Sequence, residues 1–492
     1  MPEVFHNYIN GKWMDNKSKD YIVDVNPANT DDVLGHFQAA TVEDTRRAIA
    51  AAKAAAPAWA NRPAPDRARI LRKASEILWS RLDDLARLMT REEGKILKEA
   101  RGEMMKGLNL LDFFWGEGWR LEGQTLPSEM PDTFVYTIRQ PIGVAGLITP
   151  WNFPFAIPIW KIAPALIAGN TVVFKPASLT PLQALRIVQA LEEAGLPPGV
   201  LNFVVGSGKT VGNEIIQSKA IGVLSFTGSN EVGCGVYVEG AKRQAKVTCE
   251  MGGKNPLVIM EDADLDLAFA GTMQGAFGST GQRCTATSRL LLHQSIAKQF
   301  TERVVEAAKK IKVGDGLKDG VEMGPAVDAN QLKTDLEYIE IGKKEAKLLC
   351  GGKRLTGDGY DKGFFVEPTV FGGVKPSMRI FKEEVFGPVL SISTFKTFDE
   401  ALEMANAVDF GLTSSIYTRD NGNVMRFIQG IEAGMVHVNS PTIGGEAQLP
   451  FGGVKATGVG SREMAREGIN FFTELKTVFV DYTGKKRDTS IY

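Results

Sequence analysis

The chain has 492 residues, enough for two or three domains at roughly 150 residues each, and 57 basic against 58 acidic side chains leave a formal charge of −1. That balance provides no field to recruit nucleic acid or an anionic membrane, and 43% hydrophobic with 23% charged residues is an ordinary globular composition. Four cysteines cannot form the disulfide lattice of a secreted protein, so the thiols are read as free and the compartment as the reducing cytoplasm.

In chain order, residues 1–7 lack the basic flank and apolar run of a signal peptide. From 41 to about 118 the pattern is helical: Thr41 with Asp44 three residues on resembles a capping box, and 68–78 keeps a helical apolar period. Between 123 and 140, Phe134, Tyr136 and Ile138 alternate with Thr137 and Arg139, which predicts a hairpin. The uncharged run 140–160 has the length of a membrane span, but Pro141, Pro150, Pro154 and Pro158 interrupt it. It is read as a buried strand, a loop and a helix start.

β-Rich runs at 144–148, 171–174, 201–205 and 222–226 each precede a helix-compatible stretch, at close to the roughly 30-residue length of a βαβ unit. A second alternation runs through strand 257–260, helix 264–277, strand 289–293 and helix 296–311. The fold class is therefore α/β, with two doubly wound domains meeting near Gly252-Gly253 and ligand sites beyond the carboxyl ends of their strands. The tail 474–482 alternates like a strand and predicts an edge that could complete a partner's sheet.

Cys284 lies in Ser279-Thr280-Gly281-Gln282-Arg283-Cys284-Thr285, where small residues leave the backbone open and Arg283 would favour the thiolate. Cys234, Cys249 and Cys350 fit small buried hydrophobes. Glu250 ends the strand-like run 246–249, where a carboxylate can face a cleft and serve as a general base; an isolated Glu beside a turn is more commonly solvated. The Asn152 amide could donate to an oxyanion, although Asn between prolines is ordinarily a turn former. Two glycine-bearing turns, 206–212 and Phe226-Thr227-Gly228-Ser229 leading to Gly233, could each set a helix N-terminus under a pyrophosphate. The first departs from the dinucleotide fingerprint by one extra residue between its later glycines. Lys175 could hold a ribose or phosphate oxygen. His6, His36, His293 and His437 are not at metal-ligand spacing, and no metal is expected.

Seven motifs in order resemble the aldehyde dehydrogenases over almost the whole chain: Pro150-Trp151-Asn152-Phe153-Pro154, Lys175-Pro176-Ala177, Phe226-Thr227-Gly228-Ser229, Glu250-Met251-Gly252-Gly253, Gly281-Gln282-Arg283-Cys284, Glu384-Val385-Phe386-Gly387-Pro388 and Pro450-Phe451-Gly452-Gly453. The resemblance implies Cys284 as nucleophile, Glu250 as general base, and Asn152 with the Cys284 N–H as oxyanion hole. It implies cofactor contacts at Trp151, Lys175, Ser178, Gly212, Phe226, Gly228, Ser229, Gly233, Glu384 and Phe386, and it matches Glu463 to a second acidic residue proposed as a proton relay in some members. It implies a cofactor domain (1–122 and 142–252), a catalytic domain (253–455) and a bridging element (123–141 and 473–492) that makes a homodimer or homotetramer. Ser178 stands where strictly NAD-dependent relatives commonly have Glu, so NADP is expected as the preferred cofactor, with NAD as the other.

The run 279–289 looks most like 2-oxoglutarate semialdehyde (2,5-dioxovalerate) dehydrogenases, with Arg283 meeting the substrate's far carboxylate and Phe153, Trp160 and Phe451 as apolar walls. It is also similar to non-phosphorylating glyceraldehyde-3-phosphate dehydrogenases, although Phe153 replaces their phosphate-binding Tyr. Glyceraldehyde, lactaldehyde, succinic semialdehyde or an aromatic aldehyde are the other substrates, and a crystallin-like structural role and the coenzyme A-acylating branch are the other classes. Retention of Cys284, Glu250 and Asn152 favours an enzyme that hydrolyses its thioester.

Overall fold

In the computed structural model, which describes residues 3–486, the helical stretch begins as its sequence dictates. Thr41 Oγ1 accepts the Asp44 N–H at 3.1 Å, and the Asp44 carboxylate accepts the Thr41 N–H at 2.9 Å, a capping box on the helix Val42–Asn61. Helices Ala64–Ser80, Leu82–Glu93 and Leu97–Gly116 follow. The last of these packs on the helix Ala156–Ala168, every residue of which is buried. The uncharged stretch is thus the expected strand, loop and helix start, and no helix among the described residues is long and apolar enough to cross a membrane.

Strands Val144–Ile148, Thr171–Lys175, Leu201–Phe203, Val223–Thr227 and Lys246–Glu250 run parallel in one 8-stranded sheet. All residues of the first two are buried, as strands covered by helices on both faces require. Val144–Ile148 lies between Thr171–Lys175 and Val223–Thr227, so the chain leaves it in one direction and later returns on its other side. The loops after Ile148 and Thr227 therefore open a crevice at a topological switch point.

The second sheet has seven strands in the order Lys347–Cys350, Thr369–Gly372, Val389–Phe395, Thr287–His293, Asn255–Ile259, Thr413–Tyr417, Met435–Val438, all parallel except the first pair. It begins just past Gly252-Gly253.

Two features were not foreseen. Asn7–Ile9 and Lys12–Met14 extend the far edge of the first sheet, and the short strand Gly458–Val459 pairs antiparallel with Lys246–Glu250, bringing the C-terminal region onto Glu250. The hairpin Thr125–Leu126 and Thr133–Pro141 joins Thr473–Asp481 in a 3-stranded antiparallel sheet. The tail strand pairs along one edge with its own chain, from Thr473 opposite Pro141 to Asp481 opposite Thr133, and among the described residues it is an edge strand of this sheet, as its alternation predicts. Residues 487–492 of the expected bridging element lie outside the described residues.

Candidate active site

Cys284 sits between the helix Leu265–Phe277 and the strand Thr287–His293. Before it, Ser279, Thr280 and Gly281 all have positive φ, 49°, 58° and 68°, a conformation that costs non-glycine residues on the order of 1–3 kcal/mol each. Neighbours hold it in place. Glu99 accepts the Ser279 N–H at 2.8 Å, Thr280 Oγ1 donates to the Gly324 carbonyl at 3.0 Å, and Gln282 Oε1 accepts the Val327 N–H at 2.9 Å. A Cβ at Gly281 would lie 2.2 Å from the Gly387 carbonyl, so the loops meet only because this residue is glycine. Asn255 Nδ2 fixes the Cys284 carbonyl at 2.8 Å.

Burial, and then the Glu384 charge, push the Cys284 thiol up to about 12 against the opposing pull of Lys106. The expectation that Arg283 favours the thiolate is corrected here, because the cation acting on the sulfur is Lys106. The Arg283 guanidinium is engaged elsewhere, donating to Ser279 Oγ at 2.7 and 2.9 Å and to Glu99 Oε1 at 3.3 Å.

A buried ion pair orders the loop that carries Asn152. Lys95 Nζ donates to Glu103 at 2.6 Å and to the Asn152 carbonyl at 2.7 Å, while the other Glu103 oxygen accepts the Phe155 and Ala156 N–H groups at 3.0 and 3.2 Å. Asn152 Nδ2 donates to the Gln282 carbonyl at 3.0 Å, which commits one amide hydrogen and leaves the second. The Cys284 N–H donates to no group among the described residues. Lys95→Met would strand Glu103 in the interior, and removing one partner of a buried pair costs about 3–5 kcal/mol. A fall of that size in the free energy from urea unfolding is the expected result; a loss below about 1 kcal/mol would contradict it.

Glu250 ends its strand inside the protein, with Oε2 buried and without a hydrogen-bond partner. Gly452, at φ +145°, lets the chain pass over it: a Cβ there would come 2.4 Å from Glu250 Oε1. Burial and then the neighbouring Glu463 hold the Glu250 carboxyl well above the usual carboxylate range, while Lys161 and Arg462 oppose them. Glu463 accepts from Trp160 Nε1 at 2.8 Å, from Ser225 Oγ at 2.7 Å, and from Lys161 Nζ.

The crevice at the switch point gathers the cofactor candidates. Lys175 ends its strand buried, donating only to the Pro176 carbonyl at 3.1 Å, and burial lowers its ammonium to about 8. Ser178 Oγ donates to the Gly206 carbonyl at 3.1 Å. Ser207 Oγ caps the turn Gly208–Gly212 by accepting the Thr210 N–H at 3.0 Å. Exposed Ser229 is the N-cap of the helix Asn230–Lys242, and its hydroxyl makes no cap bond. At Gly233 a Cβ would meet Met251 Sδ at 2.5 Å, and at Gly228 the Phe226 ring at 2.5 Å; Phe226 therefore supports this turn from beneath and does not face the crevice. From the other sheet's side, Glu384 Oε1 accepts the Gly253 N–H at 2.8 Å, and Phe386, at φ 61°, stands edge-on to Trp151 with 5.4 Å between ring centroids. A buried ammonium, a helix start with unspent donors and glycines that admit close approach suit a dinucleotide's phosphates and ribose.

On the other side of Cys284 lies a cavity of about 760 Å³, bordered by Phe153, Trp160, Arg283, Phe451 and the helix Leu97–Gly116. Its wall carries Lys95, Lys98, Glu99, Glu103 and Lys106. The thiol thus stands where a substrate cavity meets the crevice.

The sequence profile of the aldehyde dehydrogenase family matches residues 13–478. The chain belongs to that family. As an aldehyde dehydrogenase it is an oxidoreductase acting on aldehydes, and its relatives match it over nearly its whole length. It is 45% identical to the alpha-ketoglutaric semialdehyde dehydrogenase of Bacillus subtilis, over 97% of this chain and 98% of that one. It is 46% identical to the 2,5-dioxopentanoate dehydrogenase of Saccharolobus solfataricus, over 95% and 98%. Among solved structures, betaine aldehyde dehydrogenase from Staphylococcus aureus in complex with NAD+ matches with a TM-score of 0.95 at 34% identity, over 99% of this chain and 97% of that one. An Escherichia coli NADP dependent enzyme matches with a TM-score of 0.93 at 39% identity, over 97% and 98%.

In this aldehyde dehydrogenase the residues that sequence reading missed are Lys95, Glu99, Glu103 and Lys106. A signal existed: Glu99, Glu103 and Lys106 are spaced i, i+4, i+7 on a helix whose Ala100, Met104, Leu108 and Leu111 are buried, so three charges share a stripe beside the core.

Proposed function

We propose that this enzyme oxidises a small anionic semialdehyde, 2-oxoglutarate semialdehyde or a near homologue, to its acid through a covalent adduct on Cys284. One observation carries the reading: the cavity ending at Cys284 pairs apolar walls with the cation Lys106, which, unlike Lys95 and Arg283 in the same wall, has no carboxylate partner among the described residues. The names of the two relatives at 45% and 46% identity support it.

The Cys284 thiol gives its proton to water in the cavity, and the thiolate Sγ then bonds to the aldehyde carbon as the C=O π pair moves onto the oxygen, which becomes an alkoxide. The second Asn152 amide hydrogen and the free Cys284 N–H are the donors for that charge. NAD(P), when bound, supplies the hydride acceptor that converts the thiohemiacetal to a thioester. Trp151, Lys175, Ser178, Gly212, Ser229, Gly233, Glu384 and Phe386 would hold it. Glu250 then takes a proton from water, the hydroxide adds to the thioester carbon, and the C–S bond breaks to release the acid and restore Cys284.

NADP is the preferred cofactor in this reading. The Lys175 ammonium, lowered to about 8 by burial, gains from an added phosphate, and Ser178 carries no charge to repel one. Ser178→Glu is expected to lower the NADP to NAD ratio of kcat/KM by about 10-fold or more, the scale of one charge-assisted hydrogen bond; an unchanged ratio sinks the assignment. The domain division follows the two sheets. A homodimer or homotetramer would form through the 3-stranded sheet, where Phe479, 70% exposed, shares a face with exposed Leu475, and exposed Phe134 lies opposite Val480 on the other face. The free cysteines favour the cytoplasm. A panel of charged and neutral aldehydes with both cofactors tests the substrate class, and equal kcat/KM for valeraldehyde and glutarate semialdehyde would remove it.

A further inference from the structure

The helix Leu97–Gly116 brings its charges into the cavity in a set order. Glu99 is taken by Arg283 and Glu103 by Lys95, so those four side chains largely cancel one another. Lys98 is exposed at the rim. Lys106 remains. No hydrogen bond or ion pair reaches its ammonium among the described residues; Nζ lies 5.5 Å from the Trp160 ring centroid and 5.8 Å from that of Phe451. Those two aromatics wall the path to Cys284, and a Cβ at Gly445 would come 3.5 Å from Nζ, so the ammonium of this half-buried lysine stands between apolar rings on one side and a glycine loop on the other.

We propose that Lys106 is the specificity-determining residue of this enzyme, its ammonium receiving the carboxylate at the far end of the substrate while the aldehyde lies at Cys284. A half-buried cation without an ion-pair partner is only partly solvated, and a substrate anion offsets that cost only while bound. Burial lowers the Lys106 pKa, so a bound carboxylate also secures the charge it meets. Arg283, already neutralised by Glu99, orders the nucleophile loop. This inference rests on the anionic-semialdehyde reading and names the side chain that produces it.

The test measures kcat/KM of the full-length enzyme with saturating NADP for succinic semialdehyde, glutarate semialdehyde and valeraldehyde, in wild type, Lys106→Met, Lys106→Gln and Lys106→Arg. The ratio of charged to neutral substrate is expected to fall about 10- to 150-fold in the Met and Gln variants, the range of a charge-assisted hydrogen bond. The loss should fall mainly on KM, and Arg should restore most of it. Because Lys106 also acts on the sulfur, the pH midpoint for alkylation of Cys284 by iodoacetamide should rise in the Met and Gln variants in either case; an equal loss on both substrate types would assign Lys106 to the thiol alone and overturn the proposal while leaving the substrate class intact. A wild type without preference for the charged aldehydes removes the substrate class, and this proposal with it, before any variant is needed. Gln keeps the polar stem against the two rings should Met fail to fold.

Discussion

Cys284→Ser is expected to lose steady turnover by ~10³-fold or more, the scale on which removing a covalent nucleophile acts. The reason lies in the surroundings of the sulfur. The thiol is already pushed up to about 12 by burial and by the Glu384 charge, and Lys106 only partly offsets this. A serine hydroxyl, less acidic than a thiol, would stand in the same apolar setting with no imidazole or other strong base in contact with it. The substitution is nearly isosteric, so the strained turn 279–281 and its anchors on Glu99 and Gly324 should persist. Reduced cofactor formation, followed optically, reads the loss, and the thermal shift produced by added NADP should match that of the wild type. A variant retaining more than about a tenth of wild-type turnover, with folding intact, ends the nucleophile assignment.

The strand alternation from 144 to 293 was legible because buried parallel strands are near-continuous apolar runs and their turns are marked by glycine and proline. The capping box at Thr41 was legible because its two partners are three residues apart. Asn7–Ile9, Lys12–Met14 and Gly458–Val459 were not: each is only two or three residues long, and Asn7–Ile9 and Gly458–Val459 join the sheet through partners remote in sequence. Motif resemblance located Cys284, Glu250 and Asn152, since their local sequences are distinctive. It missed Lys95 and Glu103, which act on the Asn152 loop from a different helix, because an isolated Lys or Glu in a helical pattern reads as solvated surface. Arg283 illustrates the same limit. Its position beside Cys284 was visible, but its engagement by Glu99 depends on how two distant segments meet.

Glu250→Gln should separate the two halves of the reaction. Addition of Cys284 to the aldehyde and the redox step come before any water is activated, so the variant is expected to release a single burst of reduced cofactor and then stall. Its steady rate should fall by ~10²-fold or more, the usual contribution of a general base. The pH dependence follows from the same site. The Glu250 carboxyl is held well above its ordinary range, first by burial and then by Glu463, so it keeps its proton to higher pH than a free carboxylate, and only its deprotonated form can accept a proton from water. Raising the pH through its elevated pKa converts it to the base, and the wild-type steady rate should climb along that limb while the amplitude of the burst changes little. Gln, isosteric and without a titration, should give a flat profile for thioester hydrolysis over the same interval. Rapid mixing and single-turnover measurements across pH provide both readouts. Loss of the burst together with turnover would mean that Glu250 acts before thioester formation, as the acceptor of the Cys284 thiol proton, and the order of steps proposed for this residue would have to be reversed.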